Sequence, residues 1–306
     1  MKAFIFPGQG SQYPGMGREL ADSRSEAMEV FQEADDVLGF SLSRLCFEGP
    51  EEELKLTENT QPSLLTVSVA ALRVLESEGV MPDVLAGHSL GEYSALVASG
   101  ALSFRDALVL VRNRGKFMQE AVPLGTGSMA AVIGLELQAV EEVCKLVSGD
   151  ELVSPANDNS PGQVVISGNS AAVARASELA MEKGASRTVP LQVSAPFHSA
   201  LMKAAEDNMS PLLDETQFQD LHVPLINNAE ARLIRKAEEA REGLKKQICS
   251  MVRWTETISK MGEMGVDNAV EVGPGRVLAG LFRKTDRNIK TVSIEKPEQV
   301  DKYVGL

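Results

Sequence analysis

The chain has 306 residues, 43% hydrophobic and 24% charged. That is enough apolar material for one large α/β domain with a smaller lobe, and too much for a disordered chain. Thirty Lys and Arg against forty-three Asp and Glu give a formal charge of −13, which excludes a non-specific nucleic-acid or anionic-membrane binder, since both need a positive field.

Residues 3–6 read as a buried strand ending at Pro7 and the turn Gly8-Gln9-Gly10-Ser11-Gln12. Ser23-x-x-Glu26 has the form of a capping box. It opens an amphipathic helix with Ala27, Phe31, Ala34 and Leu38 on one face and Gly39 as its stop. A helix over 61–79 is apolar on most sides and therefore central. After Pro82-Asp83 a short strand, 84–86, enters Gly87-His88-Ser89-Leu90-Gly91, and a helix follows over 92–99. The next helix, 104–121, carries Arg112, Arg114 and Lys116.

Residues 129–133, 137–147, 152–156, 163–167, 171–183 and 187–191 read as strand, helix, strand, strand, helix, strand, with a turn at 157–162. That is the β-α-β-β-α-β order of a ferredoxin-like unit. The expected architecture is α/β: a large α/β-hydrolase-like domain with a parallel sheet core over 1–124 and 198–306, and an inserted ferredoxin-like subdomain over 125–197. Beyond Pro196 the chain turns helical, with Pro211 as a break and a strand at 224–227. Residues 230–246 read as a charged helix with a solvated face. A strand at 268–272 ends in Gly273-Pro274-Gly275 before a helix to about Lys284. Cys46, Cys144 and Cys249 are scattered and odd in number, so they form neither a disulfide framework nor a zinc cage. The apolar start is too short for a signal peptide, and apolar runs such as 107–111 fall far short of the ~20 residues of a membrane span. A cytoplasmic location is expected.

Gly87-His88-Ser89-Leu90-Gly91 matches the G-x-S-x-G nucleophile elbow and sits in its strand-turn-helix context. The alternative, an ordinary strand-to-helix turn, is weaker given those flanks. A serine nucleophile needs a base. His88 adjoins the serine, and neighbours in a tight turn point apart. His222 lies in a polar connection after Asp220. By elimination His198, where the two lobes rejoin, is the base. No acidic residue stands out as its partner; Glu271 ends a strand and pairs elsewhere equally well. The Gly8-Gln9-Gly10 loop lacks the third glycine of a dinucleotide fingerprint, Tyr13 standing in that place, and has no P-loop lysine. It reads better as a loop that offers a backbone N–H, together with that of Leu90, to an oxyanion. Arg112 and Arg114 face different ways on one helix, and either suits a carboxylate clamp or a surface ion pair.

Five motifs occur in sequence from the first strand to the last: Phe6-Pro7-Gly8-Gln9-Gly10-Ser11-Gln12, Gly87-His88-Ser89-Leu90-Gly91-Glu92, Arg114-Gly115-Lys116-Phe117-Met118-Gln119, Pro196-Phe197-His198-Ser199 and Glu271-Val272-Gly273-Pro274-Gly275. Together they resemble the malonyl-CoA:acyl carrier protein transacylases, whose motifs the acyltransferase domains of fatty-acid and polyketide synthases share. The resemblance implies Ser89 as the acylated nucleophile, His198 as general base and acid, and Gln9 and Leu90 as oxyanion-hole donors. It implies Arg114, and so not Arg112, as the ligand of the malonyl carboxylate, and Gln247 as the residue that helps orient His198. The family orients its histidine through carbonyl groups, which accounts for the missing acid. The implied reaction is ping-pong transfer of malonyl from malonyl-CoA to the phosphopantetheine thiol of acyl carrier protein, without metal or prosthetic group, by a monomer. Arg187, Arg283 and Lys284 look basic in the family too, and a local positive region there is expected to recruit the acidic carrier against the enzyme's own negative charge. The competing readings are a serine hydrolase and a non-catalytic carrier-binding subunit.

Overall fold

The structure, a computed structural model, describes residues 1–123, 125–193 and 195–305. Its strands are β1 (Lys2–Phe6), β2 (Val84–Gly87), β3 (Gly127–Ile133), β4 (Val153–Ser160), β5 (Gln163–Asn169), β6 (Arg187–Pro190), β7 (Leu225–Ile226), β8 (Leu233–Ile234), β9 (Val252–Arg253), β10 (Asn268–Val272) and β11 (Lys290–Ile294). They form two sheets, ordered β11-β10-β1-β2-β7-β8 and β6-β3-β5-β4-β9.

The first sheet is parallel from β11 through β7, with β8 as a short antiparallel edge. Its middle strands are continuous apolar runs: Ala3 to Phe6 and Val84 to Ala86 are fully buried, as strands covered on both faces require. The helix Thr57–Ser77 packs on it and is buried for most of its length. This helix begins four residues earlier than the sequence suggests and carries Pro62 in its interior. Proline has no N–H for the carbonyl of Glu58, and Arg112 Nη1 donates to that carbonyl instead, at 2.8 Å.

In the second sheet, β3 lies between β6 and β5, and β5 between β3 and β4, all antiparallel. Alternate side chains Ala130, Val132, Val164 and Ile166 pack beneath the helices Leu137–Val147 and Ser170–Glu182. β9 comes from a distant part of the chain and adds parallel to β4. That pairing, with β5 on the other side, makes strand of Asn157 and Asp158, which read as turn by residue type.

Other local readings also give way to the structure. Ser23 ends the helix Arg18–Ser23, its hydroxyl bonded back to the carbonyl of Glu19, and the next helix, Ser25–Leu38, starts after Arg24. Pro211 sits inside the helix Lys203–Glu215. The charged helix begins only at Ala237, because Leu233 and Ile234 pair with β7. No helix among the described residues is long and apolar enough to cross a membrane.

Candidate active site

The parallel strands β1, β2 and β10 all end at one edge of the large sheet, where ligands bind in open α/β sheets. β2 runs into Ser89, and the helix Gly91–Ala98 begins two residues later. The turn is tight enough to demand glycine. A side chain at Gly91 would lie 2.1 Å from the carbonyl oxygen of Phe6, and one at Gly8 2.4 Å from that of His88. The Gly8-Gln9 loop is therefore pressed directly on the elbow.

Three non-glycine residues among those described have positive φ: Ser89 at 51°, His198 at 56° and Ala231 at 46°. Two of the three face each other. Ser89 Oγ lies 2.8 Å from His198 Nε2, and His198 Nδ1 lies 2.9 Å from the backbone carbonyl of Gln247. A carbonyl only accepts, so Nδ1 carries the proton and Nε2 is left to receive the serine's. That carbonyl closes the helix Ala237–Gln247. It is one of the carbonyls a helix end leaves unpaired, at the negative pole of the helix dipole. His198 is 4% exposed. Burial, then the nearby Arg114 charge, lower its pKa from 6.5 to about 3, with the Gln247 carbonyl pulling the other way.

Arg114 is 1% exposed. Its Nη1 donates to Gln61 Oε1 at 2.9 Å, and its Nη2 to Gln247 Oε1 at 2.8 Å and to Ser89 Oγ at 3.2 Å. All three partners are neutral. Nε has no hydrogen-bond partner among the described residues. Arg112, two residues away, points to Glu58, Asn59 and the ring of Phe40. The structure thus separates two arginines that periodicity leaves equivalent.

Beneath the elbow lies a buried polar network; the resemblance names Gln247, and sequence reasoning gives no role to Glu92 or Asn228. Gln247 Nε2 donates to the carbonyl of Ser89 at 3.0 Å and to Glu92 Oε2 at 2.8 Å. Glu92 Oε2 also accepts the backbone N–H of Asn228, at 3.1 Å. Burial raises the Glu92 pKa to about 7, against its hydrogen bonds from Gln247 and Asn228 and the Arg114 charge. Gln61 gives one signal that is visible in sequence, a polar residue in a helix apolar on most sides.

A cleft of about 100 Å³ between the two sheets is lined by Gln9, His88, Ser89 and His198 with Met129, Asn157, Leu191, Val193 and Phe197. Larger clefts open beside Arg44 and Arg112 and beside Met81 and His222, and neither holds the Ser89–His198 pair. Leu90 is the residue before the helix Gly91–Ala98, where N–H groups lack intrahelical partners. The side chain of Gln9 reaches Thr57 Oγ1 at 3.4 Å. His88 turns away from Oγ: its Nε2 lies 2.8 Å from Asn159 Oδ1 and its ring packs edge-on against Trp254. His222 is exposed. Glu271 accepts the N–H groups of Leu278 and Ala279, 2.9 Å each, at the start of the helix Val277–Thr285, so its carboxylate is engaged there and His198 Nδ1 is held by the Gln247 carbonyl instead. No group of three or more His, Cys, Asp and Glu among the described residues is placed to hold a metal ion.

Arg187, Arg283 and Lys284 are exposed. Lys284 Nζ donates to Gln163 Oε1 at 3.0 Å. Gln163 and Arg187 both pair with Ile133 of β3. Arg187 and the Lys284 contact are thus two strand spacings apart, about 10 Å, on one end of the small sheet. Met129, which lines the cleft, lies four residues along β3 from Ile133, about 13 Å.

Residues 3–301 match the acyl transferase domain model. The malonyl CoA-acyl carrier protein transacylase of Bacillus subtilis is 50% identical over 300 residues, covering 98% of this chain and 95% of that protein. The Escherichia coli protein of the same name is 46% identical over 296 residues, 96% of each chain. Among solved structures, an acyl carrier protein S-malonyltransferase from Vibrio cholerae superposes with a TM-score of 0.97 at 45% identity, covering 99% of both chains. A malonyl-transacylase solved in complex with its type II PKS acyl-carrier protein gives 0.97 at 44% identity, again over 99% of both. With an elbow serine, a histidine held by a carbonyl and a buried arginine bonded to that serine, this chain belongs to the acyl transferase family.

Proposed function

We propose that this chain transfers the malonyl group of malonyl-CoA to the phosphopantetheine thiol of acyl carrier protein, through a malonyl-Ser89 intermediate, in fatty-acid or polyketide chain elongation. One observation carries the reading: the nucleophile Ser89 sits 3.2 Å from a buried guanidinium whose hydrogen-bond partners are all neutral. A buried cation of that kind is complemented by a carboxylate on the acyl group, in a bidentate pair with Arg114.

His198 Nε2 takes the Ser89 proton as Oγ attacks the thioester carbon. The oxyanion is held by the backbone N–H groups of Gln9 and Leu90, each worth about 3 kcal/mol in comparable sites. The C–S bond breaks, and the CoA sulfur leaves with the proton from His198. The carrier thiol then gives its proton to His198, attacks the malonyl ester, and returns Ser89 to its hydroxyl form. Gln247 holds the imidazole by its backbone carbonyl and Arg114 by its side chain.

The fold reading belongs to the same proposal. Residues 125–197 make an inserted ferredoxin-like subdomain, supported by the antiparallel order β6-β3-β5-β4. Residues 1–124 and 198–306 make an α/β-hydrolase-like domain that lends β9 to the smaller sheet. Arg187, Arg283 and Lys284 form the carrier-docking surface, supported by the end of the small sheet that carries Arg187 and that Lys284, from the helix Val277–Thr285, reaches through Gln163.

The test is release of CoA from malonyl-CoA with and without carrier bearing phosphopantetheine. Sustained turnover is expected only with carrier, which gains the malonyl group. Equal turnover without carrier identifies water as the acceptor and overturns the reading in favour of a hydrolase.

A further inference from the structure

Asn228 follows β7 at the edge where the candidate site lies and is fully buried. Its side-chain Oδ1 accepts the backbone N–H of Ser89 at 2.6 Å, and its Nδ2 donates to the carbonyl of Gly87 at 2.7 Å. An N–H only donates and a carbonyl only accepts, so these two partners fix which end of the amide is which. The two groups belong to consecutive peptide planes, 87–88 and 88–89. One side chain therefore grips both planes of the elbow just before a serine whose φ of 51° is strained for a residue with a Cβ.

Asn228 is itself held on every side. Its own N–H goes to Glu92 Oε2, and its carbonyl accepts the N–H of Arg253 at 3.1 Å. Glu92 also receives Gln247 Nε2, and Gln247 holds His198 and Arg114. Nucleophile, base and carboxylate ligand are thus referred to one buried frame.

We propose that Asn228 is a positioning residue for acyl transfer. It fixes the peptide plane that aims Ser89 Oγ at His198, and it ties up the Ser89 N–H, so that the next N–H, that of Leu90, is the one presented to the oxyanion. The inference rests on Ser89 being the nucleophile. A misdirected nucleophile slows the chemical step without weakening substrate binding.

The experiment is single-turnover acylation by malonyl-CoA, followed by quenched intact-mass spectrometry on folded, melting-checked enzyme. Asn228→Ala is expected to lose about 100-fold or more in the acylation rate constant, with KM for malonyl-CoA within a few-fold. Asn228→Asp adds a readout that a purely structural role would not move. The protonated acid supplies both an acceptor for the Ser89 N–H and a donor for the Gly87 carbonyl. The carboxylate has no donor and repels that carbonyl. Its activity relative to wild type should therefore be high at about pH 5 and fall toward that of Asn228→Ala by about pH 8.5. The titratable and charged groups facing this position are Glu92 directly and, through Gln247, His198 and Arg114; because a carboxyl at 228 couples to Glu92, the same ratio is taken in a Glu92→Gln background, where the pH dependence should persist. An alanine variant that acylates within about 5-fold of wild type overturns the proposal, as does an aspartate variant equally impaired at about pH 5 and 8.5. If wild type itself takes up no malonyl group, the functional reading fails first.

Discussion

The backbone carbonyl of Gln247 accepts the Nδ1–H of His198 at 2.9 Å, in the place where a hydrolase triad carries a carboxylate. A carbonyl orients the ring without adding a full negative charge beside it. With burial and the Arg114 guanidinium both opposing a second positive charge, His198 is held as a neutral base. In the proposed reaction the imidazolium forms only while the proton is in transit between serine and thiol.

The pH dependence follows with a definite sign. The competent base is neutral, and its pKa is lowered from 6.5 to about 3. Competence is therefore lost only as pH falls toward about 3, and His198 contributes no acid limb between about pH 5 and 8. The acylation rate constant at saturating malonyl-CoA, measured across that range in Glu92→Gln, which removes the buried carboxyl of pKa about 7 beside the site, should be flat on its acid side. A fall centred near 6.5 that persists in Glu92→Gln contradicts the buried, carbonyl-held histidine.

Arg114 should govern which acyl group is accepted. Arg114→Ala is expected to lose malonyl transfer by about 100-fold or more while keeping or gaining acetyl transfer, because the wild-type guanidinium meets an uncharged acetyl group without a partner. Parallel turnover assays with malonyl-CoA and acetyl-CoA decide it. Equal losses for both would make Arg114 a structural part of the buried network.

The proposed docking surface is tested by charge reversal. Arg187→Glu combined with Lys284→Glu should raise the apparent KM for carrier several-fold and flatten its salt dependence, because fields of exposed charges act over about 8–10 Å. Acylation by malonyl-CoA alone should change much less. Normal carrier use by the double variant at low salt would place docking elsewhere.

Much of the candidate site is legible in the sequence because its residues carry local signals. The elbow is a contiguous motif, and with three histidines in the chain, elimination reaches His198. Arg112 and Arg114 could not be separated by periodicity, since their difference lies in what the neighbouring helix presents: Glu58 and Asn59 to one, Gln61 to the other. Gln247, read without the resemblance, is a glutamine on a charged helix; its role comes from being the last residue before the helix ends. Glu92 and Asn228 gave no signal, because their partners lie 136 positions apart in the chain. The same holds for the fold. The long apolar strands and helices were readable, whereas β8 and β9, two residues each, exist only through the strands they pair with. The extension of β4 through Asn157 and Asp158 overrides turn-forming residue types by the same tertiary pairing.

The central claim, a malonyl group carried on Ser89, is tested most directly by quenched intact-mass spectrometry after mixing with malonyl-CoA alone, followed by peptide mapping. Wild type should gain one malonyl group per chain, located on Ser89 and discharged by carrier, and Ser89→Ala should gain none. An adduct that forms on Ser89→Ala as it does on wild type, or that maps to another residue, would contradict the account.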